Sequence, residues 1–170
     1  MARIFTATVF LGLLLMIPIT GHASEDALTV VATHETYEQA GGWLDFLQSK
    51  DVQVHHVTPL EYANGIDARY IVIMGGLDEP EGIKDIVVKI LSEKEMMQVS
   101  QKDAAETFIK TVVPENVPPS RQWESAVNFI MFIGSDAEGV MKARSESKET
   151  WWEEIQIWFD IYEGAHMPAY

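Results

Sequence analysis

The stretch YIVIMGGLDEPEG, residues 70–82, joins an apolar run to two glycines and a group of acidic residues around a proline. Its first five residues have the continuous apolar character of a strand that is covered on both faces, as in parallel sheets. Pro80 suits the first position of a helix, and the neighbouring carboxylates suit its cap. The stretch therefore predicts a buried parallel strand, a tight turn at Gly75 and Gly76, and a helix from about Pro80.

A strand that leads through glycines into a helix is also a common way to bind phosphate. The phosphate loop of nucleotide-binding proteins needs Lys-Ser or Lys-Thr after spaced glycines, and the dinucleotide fingerprint needs three glycines at set intervals. Neither pattern occurs, and Asp78, Glu79 and Glu81 place negative charge where the phosphate would lie. These carboxylates would repel an anion from the positive end of the helix. The sequence therefore predicts a turn closed by its own acidic cap.

On either side of this stretch, strand-like and helix-like segments alternate. Further strands are predicted at residues 28–32, 52–57, 108–113 and 127–133. Capping patterns predict helices that open at Thr36, Ser92, Ser135 and Thr150. This alternation predicts an α/β fold, a three-layer sandwich with a mainly parallel sheet of about five strands, Rossmann-like or flavodoxin-like. The three prolines in residues 114–122 leave open whether an antiparallel strand lies at one edge.

The first 23 residues have the pattern of a secretory signal peptide. Arg3 supplies one positive charge, residues 9–19 are almost wholly apolar, and small residues precede a cleavage site after Ala23. A retained membrane anchor is the alternative, but the apolar run is shorter than the ~20 residues of a spanning helix and Pro18 interrupts it. We therefore predict a signal peptide at 1–23 and one exported α/β domain at 24–170, located in the periplasm, outside the cell or on the envelope, with no membrane span.

Removal of the signal peptide leaves 11 basic and 26 acidic residues, a net charge of −15. Such a surface repels nucleic acid and anionic lipid, so neither is expected as a partner. The chain has no cysteine, which removes disulfides, thiol catalysis and thiolate metal ligands together.

The carboxyl ends of three predicted parallel strands carry polar residues or glycines, and they should converge on one edge of the sheet. The candidate ligand-binding residues are Thr33, His34, Gly75, Gly76, Ser135 and Asp136. In a functional interpretation His34 is the acid, base or ligand of a shallow site. In the structural interpretation these residues are caps and turns. We favour it because position in a fold is weak evidence for a functional site.

No motif of catalysis or metal binding is present, so no catalytic residue, metal ligand or cofactor is predicted. His55 and His56 are neighbours in a strand, so their rings point to opposite faces and cannot bind one metal ion together. A tertiary contact of one of them with His34 or His166 is less favoured than an ordinary half-buried histidine.

The last predicted helix carries a dense aromatic stripe that includes Trp151, Trp152, Trp158 and Tyr162. Packing on the sheet of the domain is the favoured interpretation. Docking of a partner is the alternative, because Trp and Tyr are enriched at the centres of interfaces.

The segments YIVIMGGLDEPEGIKDIVVKILS and FIKTVV, followed by NFIMFIGSDAEGVMKA, resemble α/β domains of exported envelope and S-layer-associated proteins of archaea and bacteria. In that family a hydrophobic strand ends in Gly-Gly-Pro, and a later strand ends in Gly-Ser-Asp or Gly-x-Asp. Leu77 stands here in place of the proline. The resemblance covers the second half of the chain and implies a surface location and a structural or binding role, without any catalytic residue.

Together these patterns predict an exported, non-catalytic envelope or surface module whose partner is an envelope protein or a cell-surface component. The alternative is a domain that binds a small ligand or a cation, or a weak hydrolase, at the carboxyl edge of the sheet.

Overall fold

The computed structural model describes residues 27–78, 82–115, 117–122 and 125–161. The predicted signal peptide, the acidic residues Glu79 and Glu81, and Tyr162 lie outside the described residues.

Five strands form one sheet in the order β2-β1-β3-β5-β4. The strands are β1 (Leu28–Val31), β2 (Val54–Val57), β3 (Tyr70–Gly76), β4 (Ala105–Val112) and β5 (Val127–Gly134). All neighbouring pairs are parallel except β4 and β5, which are antiparallel, so β4 is the antiparallel edge strand that the sequence left open. The predicted α/β class and mainly parallel sheet of five strands are confirmed.

Seven helices and one 3₁₀ turn (Pro119–Arg121) lie in the described parts of the chain, and the last two helices follow the final strand. The helices are α1 (His34–Gln39), α2 (Gly41–Gln48), α3 (Pro59–Ala63), α4 (Ile83–Val87), α5 (Glu93–Val99), α6 (Ala137–Glu146) and α7 (Lys148–Trp158). Among the residues described, no helix has the length and apolar character needed to cross a membrane.

Alternate residues of the strands form two hydrophobic cores, one on each face of the sheet. Val30, Val72 and Ile130 pack against α2, α6 and α7 on the first face. On the second face, their strand neighbours pack against α3, α4 and α5. Both faces are therefore covered, as expected for parallel strands, and the architecture is consistent with a three-layer α/β fold.

Strand β3 extends two residues further than predicted, through both glycines. Gly75 pairs with Ile133 and Gly76 with Gly134 in the parallel register, and the turn begins only at Leu77. A Cβ atom added to Gly76 would lie 3.3 Å from the carbonyl oxygen of Ser135, tighter than most Cβ contacts. The prediction of a turn at the two glycines is therefore wrong: they let β3 remain paired where the chain after β5 approaches closely.

The predicted acidic cap of the next helix is also wrong in the described residues. Helix α4 begins at Ile83, and its N-cap is Gly82 at φ 90°, a left-handed conformation that glycine adopts without strain. No side chain caps this helix, so Asp78 does not have the role that its spacing suggested.

The other capping predictions have mixed outcomes. Ser92 and Glu95 form the predicted capping box of α5. Helix α1 is capped by Thr33 instead of Thr36, because the Thr33 hydroxyl accepts from the amide of Thr36 at 3.2 Å. Asp136 replaces Ser135 as the cap of α6. The last helix starts at Lys148, two residues before the predicted cap.

Candidate functional site

The carboxyl end of β5 is packed closely against the start of α6. A Cβ atom added to Gly134 would lie 2.5 Å from the amide nitrogen of Val140, and one added to Gly139 would lie 2.6 Å from the carbonyl oxygen of Ala104. Real Cβ atoms essentially never approach other atoms so closely, so backbone and not solvent lies beside both glycines. The start of α6 and the residue before β4 therefore pack directly against these two glycines.

Four of the six predicted ligand-binding residues come together at this β3–β5 end. Gly75 and Gly76 are buried strand residues. The amide of Ser135 donates to the carbonyl oxygen of Ala104 at 3.1 Å, and Oδ1 of Asp136 accepts from the amide of Gly139 at 2.9 Å. These polar groups hold the β5–α6 junction: Asp136 is a cap, as the structural interpretation of the sequence proposed, whereas Ser135 is not a cap and Gly75 lies in a strand and not in a turn.

The other two predicted residues, Thr33 and His34, lie at the end of β1. Thr33 is 8% exposed and caps α1, while His34 is the exposed first residue of that helix. The register pairs Val30 with His56 of β2, which places the ring of His56 on the same face of the sheet as α1 and α2. His55 pairs with Thr29 and points to the opposite face.

A cluster of three rings forms where β1 and β2 end. The ring centres of His34 and His56 are 5.2 Å apart at an angle of 70°. Tyr37 stacks on His56 at 3.9 Å and 15°. This is the tertiary contact between His34 and a strand histidine that the sequence analysis disfavoured. It depends on where α1 begins and on the register of β2, which no local pattern specifies.

Hydrogen bonding fixes the tautomer of His56. Its Nε2 lies 3.0 Å from the carbonyl oxygen of Ala32, and a carbonyl can only accept, so Nε2 carries the hydrogen. In the neutral ring the lone pair is therefore on Nδ1. Burial raises the pKa of the neighbouring Tyr37.

Glu61 provides a negative charge near the two imidazoles. Its carboxylate accepts from the amide and the hydroxyl of Thr58, both at 2.8 Å. The pKa of Glu61 is lowered mainly by these hydrogen bonds, and the charges of His56 and His34 lower it further. Within the described ranges, no three His, Asp or Glu side chains are grouped closely enough to hold a metal ion.

The aromatic stripe of α7 faces the core. Trp151 is 2% exposed, contacts Trp43 edge-on at 5.9 Å, and donates from Nε1 to the carbonyl oxygen of Arg144 at 2.8 Å. Trp158 is half-buried and stacks on Tyr70 of β3 at 5.4 Å. Because Trp151 is buried, it cannot contact a partner, which was the alternative interpretation of the aromatic stripe.

One aromatic group of α7 stays accessible beside lysines. Trp152 is half-buried, and the centre of its ring lies 4.9 Å from the centre of the Phe46 ring of α2. The ammonium groups of Lys148 and Lys50 lie 5.3 Å and 5.8 Å from the centre of the Phe46 ring. These four residues form the Phe46–Trp152 surface, which places two ammonium groups beside aromatic rings in a chain of net charge −14.

Comparison of the chain with protein-family models, curated proteins and solved structures gave no match. The resemblance to envelope and S-layer-associated domains therefore stays a prediction.

Proposed function

We propose that this chain is an exported, non-catalytic module of the cell envelope or cell surface, which acts by contacting a protein or another surface component. We also propose a flavodoxin-like core, because the order β2-β1-β3 matches the start of that topology. The antiparallel edge strand β4 is a departure from it.

The observation that carries the proposal is that amides at the β3–β5 end of the sheet already donate within the chain. Enzymes with open parallel sheets usually hold their ligands just outside the carboxyl ends of the strands. Here the amides of Leu77 and Ser135, at the ends of β3 and β5, donate to the carbonyl oxygens of Gly134 and Ala104. A substrate or anion site on β3 and β5 would need such amides free, whereas a surface that binds without chemistry would not.

The Phe46–Trp152 surface is the contact region that we propose. Partly exposed aromatic side chains contribute large contact areas at interfaces, and charged groups at the rim steer association. Lys148 is exposed, and it places an ammonium group beside the aromatic pair. The expected partner therefore presents carboxylates to this surface.

Export is tested by sequencing the amino terminus of the protein recovered outside the cytoplasm. The signal-peptide pattern predicts a start at Ser24. A start at Met1 would contradict cleavage and would favour the retained anchor.

The contact surface is tested by capture of envelope proteins on the immobilised full-length protein. Lys148→Glu reverses a charge on the Phe46–Trp152 surface, and Lys142→Glu makes the same change on the exposed side of α6. We expect Lys148→Glu to reduce capture of the partner about tenfold or more, since a like charge then faces its carboxylates. Equal capture by both variants would contradict the proposed surface.

A further inference from the structure

We infer that His34 and His56 form a binding site for a single divalent transition-metal ion that prefers imidazole ligands, such as Zn²⁺. This site lies at the β1–β2 end of the sheet, and the inference goes beyond the proposed function because it is independent of the partner surface.

The spacing of the two rings suits such an ion. Zinc lies about 2.0–2.1 Å from an imidazole nitrogen, and tetrahedral coordination then places the centres of two imidazole rings about 5 Å apart. The observed separation of the His34 and His56 ring centres is 5.2 Å. The two rings, one from α1 and one from β2, therefore lie at a separation that is compatible with a shared ion.

The surroundings of His56 match those of a metal ligand. A metal-binding histidine almost always donates its second ring N–H to a carboxylate, a backbone carbonyl or water, which fixes the tautomer and makes the first nitrogen more basic. His56 donates from Nε2 to Ala32 and leaves its lone pair on Nδ1. The stacked ring of Tyr37 further restricts its rotation.

His34 completes the pair as an exposed ligand. It is exposed at the first position of α1, so its ring can turn toward the ion without repacking the core. Its position is nevertheless fixed by Thr33, whose hydroxyl caps the same helix. One preorganised ligand and one adjustable ligand are therefore available from separate elements.

Charge favours a cation at this position. The ionised carboxylate of Glu61 is close enough to interact with both imidazoles, and the chain as a whole is strongly acidic. Because the described residues give no third ligand in place, water completes the coordination shell, and the site binds more weakly than a structural zinc site with four protein ligands. Two imidazoles select Zn²⁺, Ni²⁺ and Cu²⁺ over Ca²⁺ and Mg²⁺, which prefer oxygen ligands.

Calorimetric titration of the full chain with Zn²⁺ and with Ca²⁺ tests the site. We expect one Zn²⁺ per chain and no binding of Ca²⁺. His34→Gln should weaken Zn²⁺ binding about tenfold or more. His55→Gln is the matched control, because this exposed neighbour of His56 points to the other face of the sheet, and it should leave the affinity unchanged.

His56→Gln would also remove the hydrogen bond to Ala32, so a lower affinity of this variant would not report the loss of a metal ligand alone. A spectroscopic measurement of the imidazole nitrogens therefore accompanies the variants. In ¹⁵N spectra of the imidazole rings, Zn²⁺ should shift Nδ1 of His56 and one nitrogen of His34, and leave His55 unchanged. Absence of Zn²⁺ binding, unchanged affinity of His34→Gln, or coordination of Zn²⁺ by Nε2 of His56 in place of Nδ1 would each overturn the inference.

Discussion

Gly134 has a structural role that depends on a single missing atom. A Cβ atom at this position would lie 2.5 Å from the amide nitrogen of Val140 and 2.6 Å from the carbonyl carbon of Gly139. Because these are backbone atoms, the first turn of α6 would have to move. We expect Gly134→Ala to lower the free energy of unfolding by about 3 kcal/mol, the upper part of the usual range for overpacking. Urea unfolding measures this loss.

Gly42 is the matched control for Gly134. It lies in α2, and an added Cβ atom would meet nothing within 4 Å. Alanine has the higher helix propensity, so Gly42→Ala should raise the free energy of unfolding by about 0.5–1 kcal/mol. If both substitutions changed stability in the same direction, the close packing of β5 on α6 would be contradicted.

Glu95 makes stability depend on pH in the acid range. Its ion pair with Lys110, and then its hydrogen bonds from Ser92, lower its pKa to about 2 from the usual 4.5. The folded protein thus favours the ionised carboxylate, and this contribution to stability is fully present above about pH 4.5 and is lost as the pH falls toward 2. The difference in unfolding free energy between the wild type and Glu95→Gln should therefore shrink over that interval.

Glu93→Gln is the control for this pH dependence, since Glu93 is an exposed residue of the same first turn of α5. We expect a small effect that changes little with pH. Denaturant unfolding at several pH values compares the two variants. A Glu95→Gln effect that is the same at pH 2 as at pH 6 would show that the ion pair and the cap do not contribute.

At the scale of elements, only one face of α7 packs against the first hydrophobic core. Trp151 and Ile155 are buried, whereas Ile157 is 67% exposed. Trp151→Ala should lower the free energy of unfolding by about 3–5 kcal/mol, the usual cost of removing a large core side chain. Ile157→Ala should stay within about 0.5 kcal/mol of the wild type. Comparable losses in both variants would contradict the orientation of α7.

The strands could be predicted because their signal is local. Apolar, β-branched runs such as Tyr70–Met74 and residues 127–133 specify buried strands wherever they occur. The end of β3 could not be predicted, since Gly75 and Gly76 remain in the strand only through pairing with β5, more than 50 residues later. The caps of α1 and α6 were misplaced by one to three residues for a similar reason: Thr, Ser and Asp neighbours offer equivalent side chains, and tertiary packing selects among them.

The candidate residues were predicted less well than the strands. The sequence predicted that the strand ends converge, and Gly76, Ser135 and Asp136 do lie together. This could be predicted because parallel strands end at the same edge of a sheet. The pairing of His34 with His56 was not expected, since it requires the register of β2 on β1. The sequence does show a capping residue directly after β1 and a histidine near the end of β2. Neither feature specifies the distance between the two histidine rings.

On the scale of the whole molecule, the two ends of the carboxyl edge differ. At the β3–β5 end the chain packs closely on Gly134 and the amides of Leu77 and Ser135 are hydrogen-bonded, whereas the β1–β2 end presents the rings of His34, Tyr37 and His56. The strongly acidic composition favours cations over anions at either end. Among the described residues, the Leu77 and Ser135 amides are therefore already engaged, which is why we propose a binding module and not a nucleotide-dependent enzyme.

Titration of the ¹⁵N-labelled full chain with metal-free ATP, followed through its backbone amide signals, tests whether the β3–β5 end is closed. We predict that the amides of Gly75, Leu77 and Ser135 do not shift, because β5 and Ala104 already accept from this segment. Saturable shifts at these three amides would show that an anion binds there, and they would contradict the closed strand end and the non-catalytic function that depends on it.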